Sequence, residues 1–375
     1  MLDAEKRTWA QVSVGAIRNN YENMRLKLPE GCKFLGVVKA NAYGHGAVQV
    51  AKMLQEYGCD YLAVACLDEA EELRAAGLKL PILILGATVP EFAQRVADCG
   101  ATQSIGSLEA AKEFSHVLQK AGKTVKVHIK LETGMGRTGF NVKHGDVSEA
   151  VQAVLLPGLD IEGVFTHFAV SDEPDGEEYT RAQFKLFMDA TEKIEKDSGI
   201  HFSIKHCANS GVMVNYPDMY LDMVRPGIAL YGVFPGAHEK GLELTPAMEL
   251  KSRIVELHDL EPGETVSYGC TFKAERKTRV AVLPIGYADG LHRVLSGRLE
   301  VLVCGVRCKQ IGRICMDMCM VDVTDVPNVQ VGDVATIFGK DNEAIICVTE
   351  LAEKAGTISY EILSNIAARV PRFYF

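Results

Sequence analysis

The sequence predicts an α/β protein in which a TIM-type (β/α)8 barrel is followed by a mostly β C-terminal domain. Between Phe34 and about Gly232, eight short apolar runs alternate with amphipathic helical patterns, as in a barrel of parallel strands. After Gly236, apolar runs are separated by turn sequences instead of helices. The 375 residues are enough for two domains. We predict that residues 1–240 form the barrel domain and residues 241–375 the β domain.

The predicted barrel strands are short apolar runs, most of them rich in Val, Ile, Leu and Phe. They are Phe34–Val38, Tyr61–Cys66, Ile82–Gly86, Thr102–Ile105, Val125–Leu131, Ile161–Phe165, Ser203–Cys207 and Met223–Tyr231. Helical periodicity between them predicts helices at Ala47–Tyr57, Asp68–Ala76, Glu91–Asp98, Leu108–Ala121, Val147–Val154 and Thr180–Ser198. An earlier strand-like segment, Trp9–Val14, is a candidate to pair with the second domain.

The second domain is predicted from alternating or apolar runs bounded by turn signals such as Glu261-Pro262-Gly263-Glu264. The predicted strand regions are Glu249–Leu260, Arg279–Leu283, Leu299–Arg307, Met320–Val323 and Asp333–Phe338. Two helical patterns close the chain, Val348–Ala355 and Glu361–Arg369.

Composition excludes several classes of function. The net charge of −9 argues against a nucleic-acid partner bound through phosphates, and no apolar run is long enough to span a membrane. No GxGxxG follows an early strand and no phosphate-binding GxxxxGK[ST] loop is present. The stretch Met1–Arg7 is charged and is not a signal peptide. We therefore expect a cytoplasmic protein.

Eleven cysteines are scattered through apolar segments, and we expect them to be reduced. The pairs Cys304 with Cys308 and Cys315 with Cys319 have a spacing that could suit a metal. They lie in strand-like sequence and lack the CxxC arrangement of zinc ribbons, so we expect buried thiols and no metal site.

The stretch VVKANAYGHG, residues 37–46, places one lysine at the end of an apolar strand and two glycines before the next helix. Desolvation there lowers the pKa of a lysine because it disfavours the charged form, which makes Lys39 a candidate nucleophile. Such an amine can form a Schiff base with a carbonyl compound, including pyridoxal 5'-phosphate (PLP). An ordinary surface lysine is the alternative, and spacing alone does not separate the two.

Active sites of (β/α)8 barrels lie at the carboxyl ends of the strands, and polar residues follow several predicted strands here. They are Lys39, Tyr43, Lys130, Glu132, Arg137, His167, Asn209, Ser210 and Arg225. Some have structural alternatives: a core histidine for His167, a buried ion pair for Arg225, and an inward barrel residue for Lys130. All of these residues are expected at one rim of the barrel, which favours a functional role over the structural alternatives. Ser210 and the segments at Gly211 and Gly227-Ile228 suit a phosphate, since hydroxyl and backbone N–H donors bind anions near helix starts.

The same stretch resembles the PLP-binding signature of the alanine racemase family, and further motifs resemble that family along nearly the whole chain. They are KLETGMGR at 130–137, HCANS at 206–210, VRPGI at 224–228, VSYG at 266–269, LPIGYADG at 283–290, GRICMD at 312–317 and TISYE at 357–361. The resemblance implies an isomerase: a PLP-dependent barrel with a β domain, working as a head-to-tail homodimer. It also implies that D-alanine is made for peptidoglycan by a two-base mechanism.

The resemblance assigns roles residue by residue. Lys39 holds PLP and is one base, and the phenol of Tyr268, supplied by the partner subunit, is the base on the opposite face. A tyrosine phenol normally titrates near about 10 and needs help at neutral pH. Further assignments are Tyr43 and Tyr360 at the phosphate, His167 and Arg225 in a supporting hydrogen-bond chain, and Arg137 at the substrate carboxylate or the phenolic oxygen of PLP. Met316 and Asp317, from the second domain of the partner subunit, are assigned with Tyr287 to the substrate entrance.

Arg225 adds an argument from chemistry. A guanidinium has five donors and no acceptor, so facing the pyridine nitrogen it keeps that nitrogen unprotonated. This weakens the electron sink and is expected to limit side reactions such as transamination. In family members the residue matching Lys130 can be carbamylated, so Lys130 is a candidate for the same modification.

The chain departs from the family pattern at Glu132, where aspartate is usual, and at Thr138, where an aliphatic residue is common. Both are near Arg137, so the strictness of alanine preference stays open. The nearest alternative is a racemase for serine or another small amino acid. A barrel-type PLP decarboxylase should keep an acid against the pyridine nitrogen, which argues against it here. A non-catalytic PLP-binding protein would resemble the barrel alone.

Overall fold

The computed structural model describes residues 7–236 and 241–375. Most of the charged N-terminal stretch (residues 1–6) and the predicted domain boundary at residue 240 lie outside the described residues. The chain divides into two compact units. One comprises Ala16–Ala42 and Gly46–Thr245; the other comprises the described residues up to Gly15, Tyr43–His45 and Pro246–Phe375.

The first unit contains a nearly closed parallel barrel of eight strands, which confirms the predicted fold. In chain order the barrel strands are Lys33–Val37, Tyr61–Val64, Ile82–Ile84, Thr102–Ile105, Val125–Glu132, Leu159–Phe165, Ile204–His206 and Met223–Val224. The first seven pair in parallel, each with the next in the chain, and the eighth pairs in parallel with the first. Backbone hydrogen bonds from Asp222 N to Lys205 O (3.1 Å) and from Arg225 N to Ala208 O (2.8 Å) join the seventh and eighth segments. A short strand, Phe140–Asn141, adds to the fifth.

Amphipathic helices cover the barrel. They are Val14–Arg25, Ala47–Glu56, Leu67–Ala75, Ala93–Cys99, Leu108–Ala121, Ser148–Val154, Glu177–Ser198 and the short Ser210–Asn215. Leu108–Ala121 illustrates why they form: Ser107 accepts a hydrogen bond from Ala110 N at its start, and Gly122 ends it with a φ of 63°. Its apolar face buries Phe114 and Leu118, so burial of that face stabilises the helix.

The eighth strand differs from the prediction. Met223–Tyr231 was expected to be one strand, but only Met223–Val224 pairs, and Ile228–Tyr231 forms a 3-10 turn. Pro226 has no N–H to donate to a neighbouring strand, which ends the pairing. Arg225 therefore follows the strand and lies at its carboxyl end.

The second unit is mostly β, as predicted. Its main sheet has the strand order Glu256–Leu260, Thr278–Leu283, Cys319–Asp322, Val306–Ile311, Glu300–Val303, Val334–Asp341, Met248–Arg253, Thr8–Val12 and Arg372–Tyr374, with Ala344–Ile346 paired to Val334–Asp341. The N-terminal strand Thr8–Val12 pairs antiparallel with Met248–Arg253. The two closing helices are Val348–Ala355 and Ser359–Ser364.

Cys308 and Cys319 are buried, as expected, whereas Cys304 is exposed, contrary to expectation. Cys304 and Gly305, with φ of 52° and 80°, form the two-residue turn of a hairpin, which faces outwards. Across residues 7–236 and 241–375, no cluster of His, Cys, Asp or Glu could hold a metal. The helices of the same residues are all too short or too polar to cross a bilayer.

Candidate active site

Lys39 lies two residues after the end of the first barrel strand and precedes an unusual turn. Residues Ala40–Tyr43 have φ between 51° and 54°, which is a left-handed turn without glycine. Such a conformation costs roughly 1–2 kcal/mol per residue, so other interactions must hold it. The N–H of Ala42 donates to Val38 O (2.8 Å), closing the turn.

Two side chains fix this turn within the barrel unit. Glu69 accepts hydrogen bonds from Ala40 N and from Ala65 N, both at 2.7 Å. The side-chain oxygen of Asn41 accepts from Ala47 N (2.8 Å) at the start of the next helix. The position of Lys39 is therefore determined by its neighbours and not by strand geometry alone.

Electrostatics make Lys39 suitable as a nucleophile. Burial lowers the pKa of its amine, the nearby Arg137 guanidinium lowers it further, and Glu69 partly opposes both. The desolvation expected from the sequence is thus present at this lysine.

Lys130, at the end of the fifth barrel strand, is buried and donates a hydrogen bond to Thr138 Oγ1 (2.6 Å). Burial, followed by the charges of Arg137 and Arg225, lowers its pKa to about 8. A substantial fraction of this amine is therefore neutral near physiological pH. The barrel mouth, by which we mean the carboxyl ends of the strands, is accordingly rich in cations and suits an anionic ligand.

Glu132 shapes the loop that carries Arg137. Its carboxylate accepts hydrogen bonds from the backbone N–H groups of Gly134 (2.6 Å), Gly136 (2.8 Å) and Arg137 (3.2 Å). Burial opposes ionisation, but these donors and the Lys143 ammonium outweigh it and lower the pKa of Glu132. The carboxylate thus organises the loop in ionised form.

Arg225 is fully enclosed behind this mouth, with 4% of its surface exposed. Its guanidinium donates to Thr166 O (2.9 Å), Cys207 O (3.2 Å), His206 Nδ1 (2.9 Å) and, at 3.4 Å, His167 Nδ1. Burial lowers the pKa of Arg225 to about 10, so the group stays charged at neutral pH. Burial and then the Arg225 charge lower the pKa of His167 well below its ordinary value, which makes His167 a neutral acceptor.

Ser210 and Asn209 follow the seventh strand. Ser210 Oγ accepts from Gly227 N (2.9 Å) and Ala229 N (3.4 Å), and so links the two segments expected at a phosphate. Asn209 Oδ1 caps the following short helix by accepting from Val212 N (3.0 Å). A Cβ on Gly211 would lie 2.7 Å from Ser171 Oγ, so this position requires glycine.

Tyr43 and Tyr360 both belong to the second unit, where their ring centroids are 6.0 Å apart. The segment Tyr43–His45 is held there by a hydrogen bond from Arg372 Nε to Gly44 O (2.9 Å). A Cβ on Gly44 would lie 2.1 Å from Leu363 O, which explains the need for glycine. The two tyrosines that the resemblance assigns to one phosphate are thus neighbours.

Tyr268 lies in the turn of the hairpin formed by Thr265–Val266 and Phe272–Lys273, and 70% of its surface is exposed. The preceding residue, Ser267, has a φ of 67°, a strained value for a residue with a side chain. Its hydroxyl donates to Arg313 O (2.7 Å). A Cβ on Gly312 would lie 2.8 Å from both Ser267 Cβ and Val266 O. The turn that presents Tyr268 therefore packs directly on the Gly312–Arg313 backbone.

The predicted entrance residues adjoin that same backbone. Tyr287 N donates to Cys315 O (3.1 Å), and Ala288 N donates to Met316 O (3.0 Å). Met316 and Tyr287 are exposed over 54% and 42% of their surfaces. Asp317 pairs with Arg369 at 2.7 Å. Tyr268, Tyr287 and Met316 thus stand on connected loops of one unit.

Comparison with known proteins identifies the family. The family descriptions "Alanine racemase, N-terminal domain" and "Alanine racemase, C-terminal domain" match residues 12–235 and 247–374. An alanine racemase of Desulforamulus reducens is 45% identical over 98% of each chain, and one of Clostridium perfringens is 44% identical over 98% of this chain and 95% of its own. The chain belongs to the alanine racemase family.

Solved structures of the family agree over the whole chain. An alanine racemase of Clostridium difficile 630 has a TM-score of 0.93 at 39% identity, covering 99% of this chain and 96% of its own. One from Bacillus anthracis, described with bound L-Ala-P, has a TM-score of 0.93 at 34% identity. The match covers 99% of this chain and 95% of the Bacillus anthracis chain. Since both domains match in one chain, an isolated barrel protein is excluded.

Sequence reasoning missed some groups that surround the family residues. Glu69, which fixes the turn after Lys39, lies in a helix where it resembles any exposed acid. His206 lies within the HCANS motif but has no separate role there, and nothing in the local sequence distinguishes His128 from an ordinary core histidine. Their polar contacts join separate strands, and no local sequence signal predicts such contacts.

Proposed function

We propose that the chain interconverts L-alanine and D-alanine with PLP and supplies D-alanine for peptidoglycan in the cytoplasm. The observation that carries the proposal is Lys39: an amine of lowered pKa at a cation-rich barrel mouth, in a chain of this family. When bound, PLP forms a covalent bond with an amine and withdraws electrons from the neighbouring Cα–H bond.

The donor set fits the phosphate and the ring nitrogen of PLP. Ser210 and the N–H groups around Gly227-Ile228, with Tyr43 and Tyr360, would hold the phosphate; Asn209 would order this loop as its helix cap. Arg225 can only donate to the ring nitrogen because a guanidinium has no acceptor. A Cβ on Gly211 would clash with Ser171, which supports a closely packed cradle.

Two proton-handling groups are needed to invert a stereocentre simply, one for each face. Lys39, with its lowered pKa, holds and releases the proton on one face. The Tyr268 phenol does so on the other, and neutral His167, itself an acceptor from Arg225, would support it. Arg137 would bind the substrate carboxylate or the phenolic oxygen of PLP. Met316 and Asp317 of a second copy, with Tyr287, would restrict side-chain size at the entrance.

The exposed side of the second unit supports a proposal of homodimerisation. Tyr268, Tyr287 and Met316 are large apolar or aromatic side chains that stand exposed on adjoining loops, and such patches mark interaction surfaces. We propose that a second copy covers them and that Tyr268 of one copy completes the site of Lys39 in the other. Lys130, with a pKa of about 8, is suited to carbamylation because only the neutral amine attacks CO2.

The test uses the PLP-loaded enzyme with L-alanine in deuterated water, following D-alanine formation and deuterium at Cα. L-serine under the same conditions measures selectivity, and a turnover on serine equal to that on alanine would overturn the substrate proposal. Inactive Lys39→Ala and Tyr268→Phe proteins are then mixed and allowed to exchange subunits. Random exchange gives heterodimers with one intact site each, so about a quarter of wild-type activity should return. No recovery after verified exchange would contradict a shared site.

A further inference from the structure

Arg225 is a buried cation that forms no ion pair with any residue in the parts of the chain that the structure describes. All its described partners are neutral: two carbonyls and two imidazoles. An enclosed charge without a counter-charge is costly. The contacts of His206 lead from Arg225 to a carboxylate.

Hydrogen bonds run from Arg225 into the barrel. Arg225 contacts His206 Nδ1 at 2.9 Å, His206 Nε2 contacts His128 Nδ1 at 2.8 Å, and His128 Nε2 contacts Glu162 Oε2 at 3.2 Å. His206 ends the seventh strand, and His128 and Glu162 lie midway along the fifth and sixth. Both imidazoles are fully buried. The chain therefore passes from the mouth into the barrel interior across three adjacent strands.

The direction of donation is set at the Arg225 end. Since a guanidinium only donates, His206 Nδ1 must accept, and its proton must lie on Nε2. That proton is donated to His128 Nδ1, so the proton of His128 must also lie on Nε2 and is donated to Glu162. Burial lowers the pKa of both histidines, so both are neutral in this arrangement.

Glu162 supplies the negative charge at the far end. Burial opposes its ionisation, but hydrogen bonds from His128 and Lys126 outweigh it and lower the pKa of Glu162 to about 2. Its side chain is only 10% exposed. Lys126 is largely exposed, so solvent screens that pair far more than the interior contact.

The sequence makes room for this chain at Gly163. A Cβ there would lie 2.8 Å from His128 Cε1 and 2.7 Å from Ile204 O. The ring of Phe165 stacks on His206 with an interplanar angle of 10° and a centroid distance of 4.9 Å. His128 thus packs closely on Gly163 and His206 on Phe165, and these contacts help to keep the two imidazoles aligned with their hydrogen-bond partners.

We propose that Glu162 is the remote counter-charge of Arg225, coupled to it through the neutral imidazoles of His206 and His128. Glu162, His206 and His128 are positioning residues. They keep Arg225 charged and donating towards the ring nitrogen of the cofactor. The inference rests on the proposed function for that last step only, since the chain of contacts exists without the cofactor.

The first experiment is neutron diffraction of deuterated wild-type holoenzyme. We expect deuterium on Nε2 of both His206 and His128, none on their Nδ1 atoms, and none on Glu162. Deuterium on His206 Nδ1, or a doubly protonated imidazole, would overturn the proposal. This readout needs no variant and is independent of catalytic activity.

The second experiment compares the variants Glu162→Gln and Glu195→Gln. Glutamine can still accept from His128, so the first variant removes charge and keeps the contact. Glu195 is a matched control because it also pairs with one histidine and one lysine, His201 and Lys205, but has no described link to Arg225.

Per bound cofactor, Glu162→Gln should lower kcat about tenfold with KM for alanine within about twofold. It should also shift the absorbance of the lysine-bound cofactor, while Glu195→Gln changes neither. An unchanged spectrum and kcat in a folded Glu162→Gln protein would refute the coupling. Because wild-type turnover on alanine is measured separately, failure here is distinguishable from failure of the proposed function.

Discussion

The barrel mouth and the loops that carry Tyr268 differ in how much of their environment their own unit provides. At the mouth, Lys130 and Arg225 are 7% and 4% exposed, and both have described hydrogen-bond partners. In the second unit, Tyr268 and Met316 are 70% and 54% exposed, although their backbone is firmly held. The mouth is prepared by folding alone, whereas the loops present side chains that another surface must cover.

This difference separates two ways of fixing a functional residue. In the barrel, buried charge is balanced over several strands, so stability and electrostatics are coupled. In the second unit, a strained backbone at Ser267 is held by close packing on Gly312, while the neighbouring Tyr268 is 70% exposed. Variants at the barrel mouth should therefore alter properties that depend on charge, such as protonation. Variants at the Tyr268 turn should alter the position of the phenol.

The largest expected effect is at the mouth, from Lys39→Ala. The loss of both the cofactor linkage and one proton-handling group should reduce turnover by about 10⁴-fold or more. Activity and cofactor absorbance are measured together. Lys52→Ala, at an exposed helical position, is the control and should leave both unchanged. Retention of the lysine-bound absorbance in Lys39→Ala would show that another amine holds the cofactor.

The next effect is on the stability of the second unit, from Asp289→Asn. This carboxylate is fully buried and bonds Arg7 (2.5 Å), Arg369 (2.8 Å) and Gly286 N (3.0 Å). Breaking such a network should cost about 3 kcal/mol of unfolding free energy. Asp325→Asn, which breaks only the exposed pair with Arg276, should cost much less because solvent screens that pair. Chemical denaturation measures both, and equal losses would show that burial does not distinguish the pairs.

Gly312→Ala tests the geometric side of the comparison. Its Cβ would contact Val266 O and Ser267 Cβ at 2.8 Å, so the Tyr268 turn must shift, at a cost of about 2 kcal/mol. We expect kcat to fall about tenfold or more with KM little changed, because only the position of the phenol changes. Gly297→Ala has a similar φ of 72° with open space around it and serves as the control. An equal loss of kcat in both would attribute the effect to backbone strain alone.

The sequence predicted structure well where nearby residues determine it. Alternating apolar runs and helical periodicity predicted the eight strands and the helix Leu108–Ala121. The bounds of that helix agree with the structure to the residue, and Ser107 and Gly122 cap its ends. It was uninformative about the left-handed turn at Ala40–Tyr43, since alanine and tyrosine do not favour positive φ. That turn depends on Glu69, 29 positions away from Ala40. The eighth strand was overextended because apolar residues continued past Pro226, whose missing N–H ends the pairing.

Of the candidate site, the polar residues at strand ends could be predicted from topology, and their roles came from the family resemblance. The connection from Arg225 through His206 and His128 could not be predicted, because it requires the register of three strands and the space at Gly163. Glu132 is instructive in the same way. As a departure from the family pattern it suggested altered selectivity, but its three backbone contacts indicate a role in loop structure.

The smallest effect, from Glu132→Gln, tests that role. Glutamine retains one accepting oxygen and loses the charge that three N–H donors stabilise, so the Arg137 loop should loosen and KM for alanine rise about tenfold, with kcat less affected. The pKa of Glu132 is lowered in the folded state, so its stabilising contribution is present above pH about 4.3 and is lost as pH falls through the folded value. The difference in Tm between wild type and Glu132→Gln should therefore narrow as pH falls below about 4. Glu132→Asp keeps the charge and should retain that pH dependence. A constant difference in Tm across this pH range would show that Glu132 acts through its shape and not its charge. The Arg137 loop would then be held by packing geometry, as the Tyr268 turn is, and not by electrostatics.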